Sequence, residues 1–216
     1  MKKLSIILAV GLMLSVTTTA SAQFMGSPSR SMNYASADAF TSFWLGYDPI
    51  SLKYDDISIS GINLFSIGIS SATPLAGSSF LAEFGGYVDW VNWKKSESGD
   101  SVGVNVIGAR VPINLMYPFA LADGITVYPY AGLNARVLVF GQASVKYDGE
   151  KETVDIFSDN DSDVKIKRLS LGYQLGLRAR ISNIMVGIGY EEMLTSLIDE
   201  EMVKVGGLTL SLGFPF

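Results

Sequence analysis

The chain has no cysteine and no histidine among its 216 residues. Without cysteine there is no disulfide, no thiolate metal site and no lipid-modified amino-terminal Cys. Without histidine there is no Ser-His or Asp-His dyad, and the commonest zinc ligand and the usual general base near neutral pH are both missing. Charge is sparse as well, at 17% of residues. Beyond residue 22, no apolar run approaches the roughly 20 residues that a membrane-spanning helix needs. The mean hydropathy is nevertheless +0.30. A chain this apolar without a spanning helix is either an all-β soluble protein or a membrane barrel whose apolar residues are dispersed one in two.

The segment Met1–Ala22 reads as a signal peptide. Lys2 and Lys3 form a basic start, Leu4–Val16 an apolar core too short to span comfortably, and Ala20-Ser21-Ala22 a cleavage site. Cleavage is expected before Gln23. The net charge of −5 becomes more negative once both lysines leave, which argues against nucleic acid as a partner. Residues 23–37 are Ser-rich and aperiodic, and they are expected to form a periplasmic lead-in to a barrel domain over 38–216.

That domain is read from alternation. In Val203–Phe216, Leu208, Leu210, Leu212, Phe214 and Phe216 share one parity, while Gly207, Thr209, Ser211 and Gly213 hold the other. Period two means a strand with one apolar face. The pattern recurs at about Asp38–Tyr47, Gly61–Ala72, Phe80–Asn92, Val102–Tyr117, Ile125–Phe140, Arg168–Ile181 and Ile184–Glu191. Trp44 breaks parity, so it either fills the interior or marks a register change. Pro112 and Pro129 lie inside strands without a ladder N–H, and a break or bulge is expected at each.

The connections alternate long and short. The long ones cover about 49–60, 94–101, 141–167 and 191–202; the short ones cover about 73–79, 118–124 and 182–183. A meander therefore places every long loop at one end, the asymmetry of outer-membrane barrels with their even strand number. The face opposite the apolar one is Gly, Ser, Asn, Tyr and isolated Arg. This is a poor water-facing surface, since soluble surfaces are usually rich in Lys and Glu, but it fits a narrow lumen. The expected architecture is all-β: an eight-stranded antiparallel up-and-down transmembrane β-barrel.

Three features carry a family resemblance: RVPINLMYPF at Arg110–Phe119, VYPYAGLNA at Val127–Ala135, and the terminal Phe216. The chain resembles the small eight-stranded outer-membrane barrels of Bacteroidetes, often described as porin-family or outer membrane beta-barrel proteins. The resemblance covers about Asp38–Phe216 and implies location in the outer membrane of a Gram-negative bacterium. It assigns no activity. Enzymatic barrels of that membrane rely on a catalytic His, so this chain is expected not to be an enzyme and to need no cofactor.

Seven charges fall on the inward parity: Glu83, Asp89, Arg110, Arg136, Arg178, Arg180 and Glu191. An ion-pair network filling the lumen is the expected role, because an unpaired buried charge is costly and eight strands enclose little more than their own side chains. A gated ion pathway is the alternative. Two aromatic girdles are expected: Phe43, Tyr47, Trp90, Trp93 and Tyr190 above, and Phe80, Tyr117, Phe119, Phe214 and Phe216 below. Trp90 and Trp93 could instead form a sugar-binding platform. Asp159, Asp161 and Asp163 imitate the start of a Ca²⁺ loop, but Val164 and Ser170 occupy its most specific positions, so a solvated acidic loop is expected there.

The expected function is that of a monomeric, non-enzymatic outer-membrane protein with a structural or surface-interaction role. Its expected partners are outer-membrane lipid, the barrel assembly machinery through Leu208, Leu210, Leu212, Phe214 and Phe216, and a protein or glycan at the long acidic loops. A narrow channel for ions or small apolar solutes, or an accessory subunit of an envelope or secretion complex, are the alternatives.

Overall fold

The computed structural model describes residues 33–34, 38–54, 57–76, 78–97, 100–147, 150–157, 167–195 and 205–216. The expected signal segment, most of the lead-in, and Asp159, Asp161 and Asp163 lie outside the described residues.

Eight strands form the wall: β1 Phe40–Tyr54, β2 Ile57–Pro74, β3 Leu81–Glu97, β4 Asp100–Met116, β5 Ile125–Tyr147, β6 Leu169–Ile181, β7 Ile184–Met193 and β8 Gly206–Pro215. Each pairs antiparallel with the next, and β8 pairs with β1 to close the ring. No edge of the barrel wall is left open, so its ladder can sit in a medium that offers no hydrogen bonds.

Alternation explains which residues face where. Phe65, Ile67, Ile69, Leu133, Leu169 and Ile188 point outward and are exposed, although each is strongly apolar. The opposite parity is small or polar because it must share a narrow interior. A methyl group at Gly176 or Gly189 would collide with the Tyr130 hydroxyl, so these two glycines make the space in which Tyr130 lies. Trp44 fills the interior and is 1% exposed. At the end nearest the short turns it packs with Phe40, Leu81, Met116, Tyr128 and Met185. Towards the opposite end Ile62, Leu64, Trp93, Met193 and Val205 pack together.

The strands run farther than the alternation alone marks. Stretches expected as loops at 49–60 and 94–101 are mostly strand, and β5 continues to Tyr147 before Glu150–Asp155 folds back on it. The alternation of Ile50, Leu52, Ile57 and Ile59 already suggests walls that rise past the bilayer, whereas the polar stretch at 94–101 shows no apolar period to announce its strand. Short pieces also pair at the other end, where Phe119–Ala122 lies on β5 and Asn33–Tyr34 lies on Phe119–Ala120.

Neither proline shifts the register, although beside Pro129 the ladder on the β4 side stops at Met116 and resumes at Phe119. Pro112 stays in register opposite Asn134, and Pro129 opposite Leu177. The shift between β4 and β5 falls at Ile107/Gly108, where Phe140 and Leu138 are the partners and Val139 is the extra residue. A missing N–H removes one bond, but only an added residue moves the register. Ser182, with φ 54°, turns the tight hairpin between β6 and β7.

Candidate functional site

Between the two apolar ends, the interior is charged. β3 supplies Glu83 and Asp89, both on its inward face; β4, β5, β6 and β7 supply Arg110, Arg136, Arg178 and Glu191. All six are buried, and they form two layers.

The lower layer centres on Glu83, which is 0% exposed. Its Oε1 accepts from Ser70 Oγ at 2.6 Å and from Arg178 Nη1 at 2.5 Å, and its Oε2 accepts from Asn114 Nδ2 at 2.6 Å. The partners are held in turn: Trp44 Nε1 donates to Ser70 Oγ, and Gln174 Nε2 donates to Asn114 Oδ1. The Arg178 guanidinium lies over the Trp44 ring at 4.4 Å and the Tyr130 ring at 4.5 Å. Such stacking suits the weakly hydrated, planar guanidinium.

The upper layer is a ring of four charges. Asp89 takes Arg110 at 3.2 Å and Arg136 at 2.8 Å, and Glu191 takes Arg110 and Arg136 at 2.8 Å each. Each arginine thus bridges both carboxylates. Tyr87 underlies Arg110, with 5.0 Å from the guanidinium carbon to the ring centre. Asp48 is buried in the same region, and its Oδ1 has no hydrogen-bond partner among the described residues. A cavity of about 10 Å³ beside it is bounded by Arg136 and Glu191. A second, of about 30 Å³, lies between the layers among Trp44, Tyr87, Arg110 and Arg178. A water needs about 10–15 Å³ of such space, so neither cavity holds more than one or two.

Arg180 stands outside both layers, contrary to expectation. It sits at the level of Met185, beside the apolar cluster at the turn end. Its Nε donates to the Ser182 carbonyl at 3.2 Å, and its guanidinium lies 5.8 Å from the Phe40 ring centre. Being near the rim, it reaches water and needs no buried carboxylate.

The aromatic assignments need two corrections. Trp93 points inward, 8% exposed, and packs with Ile62 and Leu64. Its odd number on β3 puts it on the face of Glu83 and Asp89, so it cannot share an outer platform with Trp90. Phe43 belongs to the lower level, because it pairs directly with Phe214. Tyr47, Phe65 and Trp90 form an outward row with ring centres 5.3 Å and 6.1 Å apart. Tyr190 stands 6.4 Å from Tyr173, and both hydroxyls reach Glu192. Below, Phe80 meets Tyr117 edge to face at 5.0 Å and Tyr117 lies tilted against Phe119 at 4.6 Å, with Phe214 and Phe216 exposed on the outer face.

The sequence reading does not single out Asp48, Ser70, Asn114, Gln174 or Tyr130. All share the inward parity, which is the available signal, but a small polar residue in a glycine-rich face does not reveal its partner. Among the described residues, no group of three acidic, His or Cys side chains could hold a metal ion.

No family model and no curated protein matches the chain. Solved structures do. The outer membrane enzyme PagL matches with a TM-score of 0.50 at 12% identity, over 81% of this chain and 99% of its own. Ail, the attachment invasion locus protein of Yersinia pestis, solved with the heparin analogue sucrose octasulfate, gives 0.48 at 19% identity, over 83% and 99%. A major outer membrane protein from Thermus thermophilus gives 0.47 at 12% identity, over 82% and 99%. At these identities the likeness is one of fold, and the fold is the closed outer-membrane β-barrel.

Proposed function

We propose that the chain is an integral protein of a Gram-negative outer membrane, a filled barrel that does no chemistry and serves as a structural and surface-presenting scaffold. The observation that carries this reading is the interior. Among the described residues, apolar clusters stand towards both ends, and two charge layers lie between them. The interior cavities bounded by described residues, about 30 Å³ and about 10 Å³, each hold no more than one or two waters, which supports a filled lumen. The guanidinium groups of Arg110, Arg136 and Arg178 are each committed to a carboxylate, which supports stability more than transport. Catalysis is disfavoured by the missing histidine, and Glu83 has its acceptor sites occupied by three donors.

The strand walls that rise beyond the apolar band offer the surface through which such a scaffold meets a protein or glycan. The closing strand, with Leu208, Leu210, Leu212, Phe214 and Phe216 on one face, suits recognition by the barrel assembly machinery. Planar-bilayer recording of the folded protein is the test. A silent bilayer is expected, whereas discrete single-channel steps would establish a pore and overturn the scaffold reading.

A further inference from the structure

On the outward face of β3, β4 and β5 the side chains change in kind row by row. Pairing aligns Val88, Ala109 and Val137, then Trp90, Ile107 and Phe140, all of them apolar. The next row is Asn92, Asn105 and Gln142, joined by Asp155 of the folded-back segment. Lys94, Gly103, Ser144 and Thr153 follow, and then Ser96, Ser101, Lys146 and Lys151. Cross-strand partners share a face, and successive rows stand about 7 Å apart along a strand. The polar rows therefore begin where the apolar band ends. Trp90 is tied to the first of them, its Nε1 donating to Asn105 Oδ1 at 2.8 Å.

A recess of about 230 Å³ opens on this face, bounded by Asn92, Lys94, Asn105, Gln142, Lys151 and Thr153. Gly103 helps form its floor: a Cβ there would lie 3.2 Å from Ser144 Oγ and 3.8 Å from Lys94 Cγ. Two ammonium groups and no carboxylate are among the described residues that line it, in a chain of net charge −5. Lys146 and Lys151 are also direct cross-strand partners. Like charges in that position destabilise a sheet, and an anion between them would relieve the repulsion.

The geometry points to a binding site for the phosphorylated sugar headgroup of a glycolipid in the outer leaflet. This inference rests on the outer-membrane reading above, because only a surrounding bilayer brings headgroups to an outward wall at the edge of its apolar band. Lys94 and Lys151 supply the charge-assisted bonds to phosphate, and the amides and hydroxyls of the two lower polar rows meet the sugar. A soluble sugar phosphate offers the same polar groups but lacks acyl chains to lie against Val88, Trp90 and Ile107 below the recess.

The test uses the full chain in phosphatidylcholine nanodiscs containing a small share of monophosphoryl lipid A, with retained lipid counted by native mass spectrometry. Wild type should keep lipid A in preference to phosphatidylcholine. Lys94→Gln with Lys151→Gln should lower that retention about a hundredfold, as loss of two charge-assisted bonds implies. Gly103→Val, which fills the floor, should lower it as well. Dephosphorylated lipid A should be kept no better by wild type than lipid A is by the double variant. Equal retention by wild type and double variant would overturn the site. Complete displacement by soluble glucosamine 1-phosphate would overturn the glycolipid assignment in favour of a free sugar phosphate. A wild-type protein that fails to enter nanodiscs, and shows no heat-dependent shift in gel mobility, would remove the membrane reading and this site with it.

Discussion

Arg178 Nη1 donates to Glu83 Oε1 at 2.5 Å, across the barrel interior between β6 and β3, which share no hydrogen-bonded edge. The pair ties one side of the wall to the other, and Trp44 and Tyr130 hold the guanidinium from two further strands. Glu83→Ala should therefore cost about 3–5 kcal/mol, since it leaves a buried guanidinium without its carboxylate. The denaturant midpoint of the detergent-folded protein reads this loss. Glu83→Leu combined with Arg178→Met should be much less harmful than the sum of the single changes. Additive losses would show that the two side chains act independently.

The four-charge ring should respond more gently. Arg136→Ala leaves Arg110 in contact with both Asp89 and Glu191, so neither carboxylate is stranded. It should lower the unfolding temperature less than Arg178→Ala does. Arg136→Ala with Glu191→Ala should fall short of additivity. Unchanged stability together with the appearance of ion conductance would mean that these charges gate a path instead.

The three tryptophans allow the register to be read optically. Trp90 faces outward at 46% exposure, whereas Trp44 and Trp93 are buried inside. In vesicles of brominated lipid, a variant retaining only Trp90 should be strongly quenched. Variants retaining only Trp44 or only Trp93 should keep most of their emission. Strong quenching of Trp93 would place β3 in the other register.

Closure should give the barrel a heat-dependent mobility in gel electrophoresis. A wall without an edge does not unravel strand by strand, so unboiled samples should migrate differently from boiled ones. Identical migration, with solubility in the absence of detergent, would contradict a membrane barrel.

Tyr147 and Glu150 are cross-strand partners at the end of the longest wall extension, where β5 and the folded-back segment run together beyond the apolar band. An epitope inserted there should be tolerated and should label intact cells, because no apolar row of the wall is interrupted. Labelling only after lysis would invert the topology.

Much of this protein is legible in its order of residues. Leu169 to Ile181 alternates without exception, and a period of two in a chain with too little charge for a soluble surface leaves few architectures open. The same parity places Glu83, Asp89, Arg110, Arg136, Arg178 and Glu191 on one face before any contact is known. Parity is a local property, set by the geometry of a single strand.

The failures are of a different kind. Sequence sets Phe43 at the wrong level because height along the barrel depends on how β1 is staggered against β8, and stagger is a relation between strands. Closeness to Trp90 draws Trp93 outward in the sequence reading, although its parity points inward. The shift at Val139 arises from an extra residue opposite β4, while the prolines that advertise irregularity stay in register. Alternation along the chain thus determined the wall and its two faces. Only closure of that wall decided that Arg178 meets Glu83 and that each ring arginine spans two carboxylates, because partners from strands that do not touch are chosen by tilt and stagger, which no single strand encodes.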